Sequence, residues 1–413
     1  MKDLKTENLL SIINTTLNYM SKDLTGHCMR VTYNLVCILK DDPRFTYQEV
    51  CKIAWTVLYH DIGILEERSV KDLLEEELEK KNGGFSHAEY GCLFVKYFSS
   101  FPEYYEIIKF HHSSYREFKD LDIDEKIKDV IVTLKVIDII DLYNIYKQQL
   151  DIDKIKWDAY EIAIAKKVNS YFENKKEKSQ KEIENNLASF LKNMILSPIQ
   201  KYKMLKILAY SFDFKSRVTA VHCTTVVETS SMLAKLFEVD ERTYKNICMG
   251  ALLHDLGKIA IPHHILESTG KLNEEDWAIM KSHVTITEEI LNTNVDNDIL
   301  QIAIRHHETL DGMGYPYGII GSQLTLPQRI VAVSDIVSAL SQERSYKSPL
   351  SLDKICGILN GMCQNNKICP VVLQMFLKNK DKIYKRILHI TYETNIMYQK
   401  INEDYNDAMR QKV

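Results

Sequence analysis

The chain is poor in the residues that punctuate β-structure. Its 413 residues include 14 Gly and 8 Pro, and no Pro falls between Pro102 and Pro198. Turn-bounded strands need such breakers at short intervals. Helical apolar spacing recurs instead, as in Ile53, Val57 and Leu58, or Ile247, Leu252 and Leu253. These features predict an all-α protein. An excess of charge of one sign is also missing. The net charge of −4 excludes the broad basic field that polymeric nucleic acid requires, while leaving room for a local phosphate site. No uncharged run approaches the ~20 residues of a membrane helix, and Met1 to Glu7 leads into no apolar signal core. The nine cysteines are odd in number and form no Cys-x-x-Cys pair, which excludes a disulfide framework and fits a reducing compartment. Together these absences predict a cytoplasmic protein without a membrane partner. The length allows two domains with cores of their own.

What is present is histidine and aspartate in an ordered series. Residues 222–335 contain His222, His254-Asp255, His283, His306-His307 and Asp335, set in apolar helical surroundings. Imidazole and carboxylate are ligand types that first-row divalent metals accept. Seven such groups in apolar settings would be costly to bury without a common purpose. A second series precedes it: His27, His60-Asp61, His87, His111-His112 and Asp138. The intervals agree closely. His27 to His60 is 33 residues against 32 for His222 to His254, and His87 to His111 is 24 against 23 for His283 to His306. Ten of the 13 histidines fall into these two series, so the chain reads as an internal duplication.

The series from His222 to Asp335, with Gly257-Lys258, Glu308 and the run Asp311-Gly312-Met313-Gly314-Tyr315-Pro316, resembles the HD-GYP family of the HD phosphohydrolase superfamily. The resemblance covers roughly residues 205–385. It implies tandem HD-type helical bundles: residues 1–150 a divergent HD-like domain, 151–204 a helical linker, 205–385 the HD-GYP phosphodiesterase domain, and 386–413 a C-terminal helix. The mixed-charge run from Glu173 to Lys178 is read as a solvated helix or linker.

Carried over residue by residue, the resemblance implies two divalent metals, iron or manganese. His222, His254, Asp255 and Asp335 would hold one, and Asp255, His283, His306 and His307 the other. Asp255 and Lys258 become the catalytic pair, the lysine lying beside the scissile phosphate. Lys258, Gly314, Tyr315, Arg344 and Lys347 would bind substrate. Val218 stands where some relatives place a glutamate for a third metal, so two metals are expected. Such a pair clamps a phosphodiester and acidifies a water. The implied activity is a cyclic dinucleotide phosphodiesterase, cleaving cyclic di-GMP or cyclic GMP-AMP to a linear dinucleotide.

Departures from the family pattern are Leu310 before the Gly-Tyr-Pro loop, Ser338 in place of an aspartate, and Arg344-Ser345-Tyr346 in place of Arg-Pro-Tyr. They motivate an alternative, a weakly catalytic sensor of cyclic dinucleotide or redox state using the same metal site. A hydrolase for another phosphorylated nucleotide is a third reading, which the Gly-Tyr-Pro loop disfavours. The first series keeps all seven ligand types, His27, His60, Asp61, His87, His111, His112 and Asp138, and is a second candidate metal centre. It has Ile64 in place of the lysine and no Gly-Tyr-Pro. Its expected role is sensing, dimerisation or weak catalysis, and a homodimer is left open.

Overall fold

The computed structural model describes residues 4–19, 24–64, 86–145, 157–173, 178–213, 221–268, 270–342 and 350–410. These are helical with no strand among them. One isolated antiparallel bridge joins Asp311 and Ile320. The chain divides into two compact units, Lys2–Ile207 with Ile401–Val413, and Leu208–Lys400. No helix of the described residues is long and apolar enough to cross a membrane.

The N-terminal unit contains α1 (Thr6–Asn18), α2 (His27–Leu39), α3 (Tyr47–Val57), α4 (Ser86–Phe98), α5 (Tyr105–Phe110), α6 (Glu125–Ile145), α7 (Ala159–Glu173), α8 (Gln180–Leu191) and the first part of α9 (Pro198–Asp213). Helix α6 buries Val130, Ile131, Val132, Leu134, Val136 and Ile137. A helix apolar on all sides belongs in the middle of a bundle, and α2, α5 and α7 pack on it. Thr46 starts α3 through a capping box: its hydroxyl accepts from the Glu49 amide while Glu49 accepts from the Thr46 amide.

The stretch expected as a linker folds differently. Its described residues from 157 to 204 belong to the N-terminal unit. Helix α8 buries Ile183, Leu187 and Leu191, an i, i+4, i+8 stripe whose burial stabilises by roughly 1.5–3 kcal/mol per side chain before entropy. The tip of the chain also returns to this unit. There Tyr405 stacks on Tyr90 at 3.9 Å, and Asp404 accepts from the Tyr97 hydroxyl at 2.7 Å.

The C-terminal unit contains the end of α9, α10 (His222–Leu236), α11 (Glu241–Leu253), α12 (Glu274–Leu291), α13 (Asn297–Ile304), α14 (Leu326–Ser341), α15 (Leu352–Gln364), α16 (Pro370–Lys378) and most of α17 (Lys380–Arg410). Asp240 caps α11 by accepting from the amides of Arg242 and Thr243. Val226, Leu233, Ile247, Ile302, Val337 and Phe376 form the centre of its core. Packing of α10 on α11 and α14, of α11 on α13, and of α12 on the 3₁₀ turn Leu256–Ala260 brings the start of α10 and the ends of α11 and α13 beside the middles of α12 and α14.

Candidate metal centre and substrate cavity

In the C-terminal unit the seven sequence-picked residues converge. His222 opens α10, His254 and Asp255 follow α11, His283 lies in α12, His306-His307 follow α13, and Asp335 lies in α14. Asp255 sits between the two histidine groups. Its Oδ2 is 3.6 Å from His222 Nε2 and 3.1 Å from His254 Nε2. Its Oδ1 is 3.3 Å from His283 Nε2 and 3.7 Å from His306 Nε2. Asp335 Oδ1 lies 3.0 Å from His222 Nε2. One carboxylate thus faces two sets of nitrogens, the disposition of a bridging ligand.

Three of the rings are oriented by the backbone of the helix that carries or precedes them. His254, His283 and His306 donate from Nδ1 to the carbonyls of Ala251, Met280 and Ala303, three residues earlier in every case. That bond fixes the tautomer and turns the Nε2 lone pair inward, the arrangement that metal-binding histidines use. His283 Nε2 and His306 Nε2 then face each other at 3.4 Å. His254 Nε2 and Asp255 Oδ1 are buried and make no hydrogen bond. Buried lone pairs pointing at one another are satisfied by a shared cation. Ligand atoms ~3 Å apart suit an ion with bonds of ~2.1 Å. The residues fit a divalent metal.

Electrostatics agree. Burial, with neighbouring positive charge, pulls the His283 pKa down to about 3 and that of His307 to about 4, and His306 falls well below its ordinary value. These rings are neutral near pH 7, as ligation requires. Burial pushes the carboxylates up, but His254 and Lys258 outweigh it at Asp255, and His222 and His307 at Asp335. Both stay ionised, well below the usual carboxylate range. Lys258, delivered by the 3₁₀ turn, places Nζ 2.5 Å from Asp255 Oδ2.

A cavity of about 780 Å³ opens over this cluster. His222, Lys258, His283, His307 and Asp335 line it together with the apolar Leu266, Leu272, Trp277 and Met280. Tyr315 stacks on His307 at 4.6 Å, and Trp277 meets the Tyr315 ring edge-on at 6.1 Å. The glycine-rich loop is pinned there. Gly314 lies so close to the backbone of His307–Thr309 that a Cβ would collide with it, and Gly312 has φ 75°.

Two further residues matter: Glu308, which the sequence showed only as part of a motif, and Trp277, which sequence reasoning did not single out. Glu308 is buried and accepts from the amides of Tyr317 at 2.8 Å and Ile319 at 2.9 Å, tying the loop to the ligand pair before it. Trp277 shares a helix face with Met280 and His283 at i, i+3, i+6, a spacing that could have flagged it. Val218, Arg344, Ser345, Tyr346, Lys347 and residues 174–177 of the charge run lie outside the described residues.

The N-terminal series converges in the same way. His27 opens α2, and its Nε2 is 2.8 Å from Asp138 Oδ1 and 3.5 Å from Asp61 Oδ2. His60 Nε2 approaches Asp61 Oδ2 at 3.4 Å, and His87 Nε2 approaches Asp61 Oδ1 at 3.7 Å. Asp61, His87, His111 and His112 place ligand atoms within 4.8 Å of one another. His60 and His111 repeat the bond to the carbonyl three residues back, on Val57 and Ile108. Gly63 and Gly257 make the same close approach, to the backbone of His87 and His283 respectively. One addition distinguishes this cluster: His27 Nδ1 meets Asp141 at 2.7 Å, and Arg30 holds that carboxylate through two hydrogen bonds. Burial pulls the His27 pKa down, but Asp138 and Asp141 outweigh it and push it up to about 10.

Comparison with known proteins agrees with this architecture. A family model described as HD domain matches residues 24–144, and another described as HD domain matches residues 202–371. The chain is 25% identical over 364 residues to the 3′3′-cGAMP-specific phosphodiesterase 1 of Vibrio cholerae, covering 82% of this chain and 84% of that protein. It is 36% identical over 148 residues to the 3′3′-cGAMP-specific phosphodiesterase 3 of the same organism, covering 36% of this chain and 32% of that protein, so the match spans about a third of that relative. A solved structure of a cyclic GMP-AMP specific phosphodiesterase from Vibrio cholerae matches with a TM-score of 0.51 at 17% identity, over 91% of this chain and 97% of that one, a likeness of fold. HD domains bind divalent metals, and both clusters here are built of metal-capable residues. The chain therefore carries two HD domains in tandem, the second with its Gly-Tyr-Pro loop packed against the paired histidines.

Proposed function

We infer that the C-terminal domain is a metal-dependent phosphodiesterase that opens a cyclic dinucleotide, cyclic GMP-AMP or cyclic di-GMP, to a linear dinucleotide. The observation that carries this reading is the bridging position of Asp255 among His222, Lys258, His283 and Asp335, which line a cavity large enough for a dinucleotide. His222, His254, Asp255 and Asp335 would hold one divalent ion, and Asp255, His283, His306 and His307 a second. Bound there, the ions would supply Lewis-acid polarisation of the phosphate and acidification of a water. The N, O-only donor set suits iron or manganese.

The chain's own groups do the rest. Lys258 offsets the negative charge of Asp255 and offers N–H donors to a phosphate oxygen as charge develops on it. Tyr315, held against His307, and Trp277 present aromatic surface on which a base can stack. A water oxygen bonds to phosphorus, the bond to the 3′ oxygen breaks, and that oxygen takes up a proton. Cyclic GMP-AMP is the first substrate to try, because a relative of that specificity aligns along most of the chain. The nine free cysteines suit a cytoplasmic setting, and Arg344 and Lys347 remain proposed phosphate contacts.

The test is metal content and turnover of both cyclic dinucleotides on one anaerobic sample, for the parent chain and for Asp255→Ala. Turnover that disappears with Asp255→Ala supports the enzyme. A metal-loaded parent that cleaves neither dinucleotide but binds one tightly would favour the sensing alternative, which rests on Ser338 at His222 Nδ1, where the N-terminal cluster has a carboxylate.

A further inference from the structure

Both domains place a cysteine directly after their first histidine, Cys28 after His27 and Cys223 after His222, in the first turn of α2 and of α10. The two thiols sit differently. Cys223 donates to the Leu252 carbonyl at 3.4 Å. Cys28, 8% exposed, has its Sγ within 4.8 Å of the ligand atoms of both His60 and Asp61, which are themselves within that distance of each other. Among the described residues it is the one cysteine that joins a His/Asp cluster. A second observation points to a ligand at this place. His111 Nε2, in the adjoining group of Asp61, His87, His111 and His112 that shares Asp61 with Cys28, is fully buried and makes no hydrogen bond, although its Nδ1 is fixed on the Ile108 carbonyl and its Nε2 therefore carries a lone pair. The charge balance also differs. Asp255 has Lys258 at 2.5 Å, whereas the residue at that position after Asp61 is the buried Ile64. Among the described residues, the N-terminal cluster thus presents Asp61 and Asp138 with no lysine paired to either.

We propose that the N-terminal cluster is a metal centre of mixed nitrogen, oxygen and sulfur ligation in which Cys28 supplies a thiolate. This rests on reading His27, His60, Asp61, His87, His111, His112 and Asp138 as a metal site. On binding, the sulfur–metal bond forms, the thiol proton leaves to solvent, and no electron is transferred. A thiolate favours softer ions such as zinc or iron over manganese or magnesium. The C-terminal donors contain only nitrogen and oxygen, so the two domains of one chain would differ in their order of metal preference.

Cobalt(II) is the probe, loaded anaerobically into the metal-stripped full chain. The parent protein is expected to show a near-ultraviolet thiolate-to-cobalt charge-transfer band. X-ray absorption should show a cobalt–sulfur shell near ~2.3 Å. Cys28→Ser should lose both signals, and Cys223→Ser should keep them. Asp61→Ala tests the centre itself and should lower cobalt per chain. Unchanged stoichiometry in Asp61→Ala overturns the N-terminal site and the Cys28 assignment together. A lowered stoichiometry with no sulfur signature in the parent, or with the signature kept in Cys28→Ser, overturns the thiolate alone. The absorption measurement on the parent does not depend on any variant folding.

Discussion

The two His/Asp clusters share a scaffold and differ in what surrounds it. In both, the first histidine opens a helix, the bridging aspartate follows another, and a glycine two residues later packs on the backbone of the next histidine. The differences lie one layer out. Lys258 stands at Asp255 where the other domain has Ile64. The side chain of His307 is 28% exposed, towards the cavity, against 5% for His112. Behind His307 lies the loop pinned by Glu308. After His112, the chain is held instead by Glu161, which accepts from the Tyr115 amide and pairs with the buried Lys135 at 3.0 Å. Positioning ligands and performing chemistry are therefore separable demands. The ligand set needs helix ends and backbone carbonyls, while hydrolysis also needs a cation beside the phosphate and a way in.

The strongest test of that separation pairs Asp255→Ala with Asp61→Ala. Loss of the bridging carboxylate in the C-terminal domain should lower kcat/KM on the order of 10⁴-fold, the scale for disabling a cooperating catalytic set. Asp61→Ala should lower metal content while turnover stays within about tenfold, because its cluster has the buried Ile64 where Lys258 stands and an enclosed His112 where His307 is open; equal losses in both variants would make the clusters one coupled catalyst. Exchanging the cation comes next. Lys258→Ile should retain metal, measured by plasma emission, yet lose roughly 10²–10³ in kcat, the range for removing a donor aimed at developing charge. Retained kcat would remove Lys258 from the mechanism. Trp277→Ala should act on binding, raising KM roughly 10- to 100-fold as a base loses its stacking surface, with kcat little changed.

Much of this arrangement was legible because the ligands are rare residues at repeating intervals. Thirteen histidines, ten of them in two matched series, carry the duplication on their own. The helical class followed from scarce glycine and proline. Long-range pairing was not legible. Glu161 meets Lys135 across 26 residues and Tyr405 meets Tyr90 across 315, and no local pattern announces either. The stretch after residue 150 looked like a linker because its charges are conspicuous, but the stripe Ile183, Leu187, Leu191 outweighs them once a partner face exists. Glu308 read as part of a motif, and its role as the acceptor for two loop amides appears only when the loop folds back on it.

The smallest expected effect concerns the layer that orients the first histidine. Three residues after His27 stands Arg30, and three after Asp138 stands Asp141; these two pair and hold His27 Nδ1. The same positions in the C-terminal domain are Thr225 and Ser338, joined by a hydroxyl–hydroxyl hydrogen bond, with Gln342 donating to both and Ser338 at 3.3 Å from His222 Nδ1. Ser338→Asp alone puts a carboxylate into a fully buried site whose partners among the described residues include no lysine or arginine, and should destabilise the domain in thermal unfolding. The pair Thr225→Arg with Ser338→Asp supplies the counter-charge and should recover that loss. It should also tighten metal binding about tenfold, the lower end of what outer partners of a ligating histidine contribute. Should the double variant bind metal no better than the parent, the hydroxyl network orients His222 as well as a carboxylate does. The difference between the domains at this position would then concern charge rather than geometry.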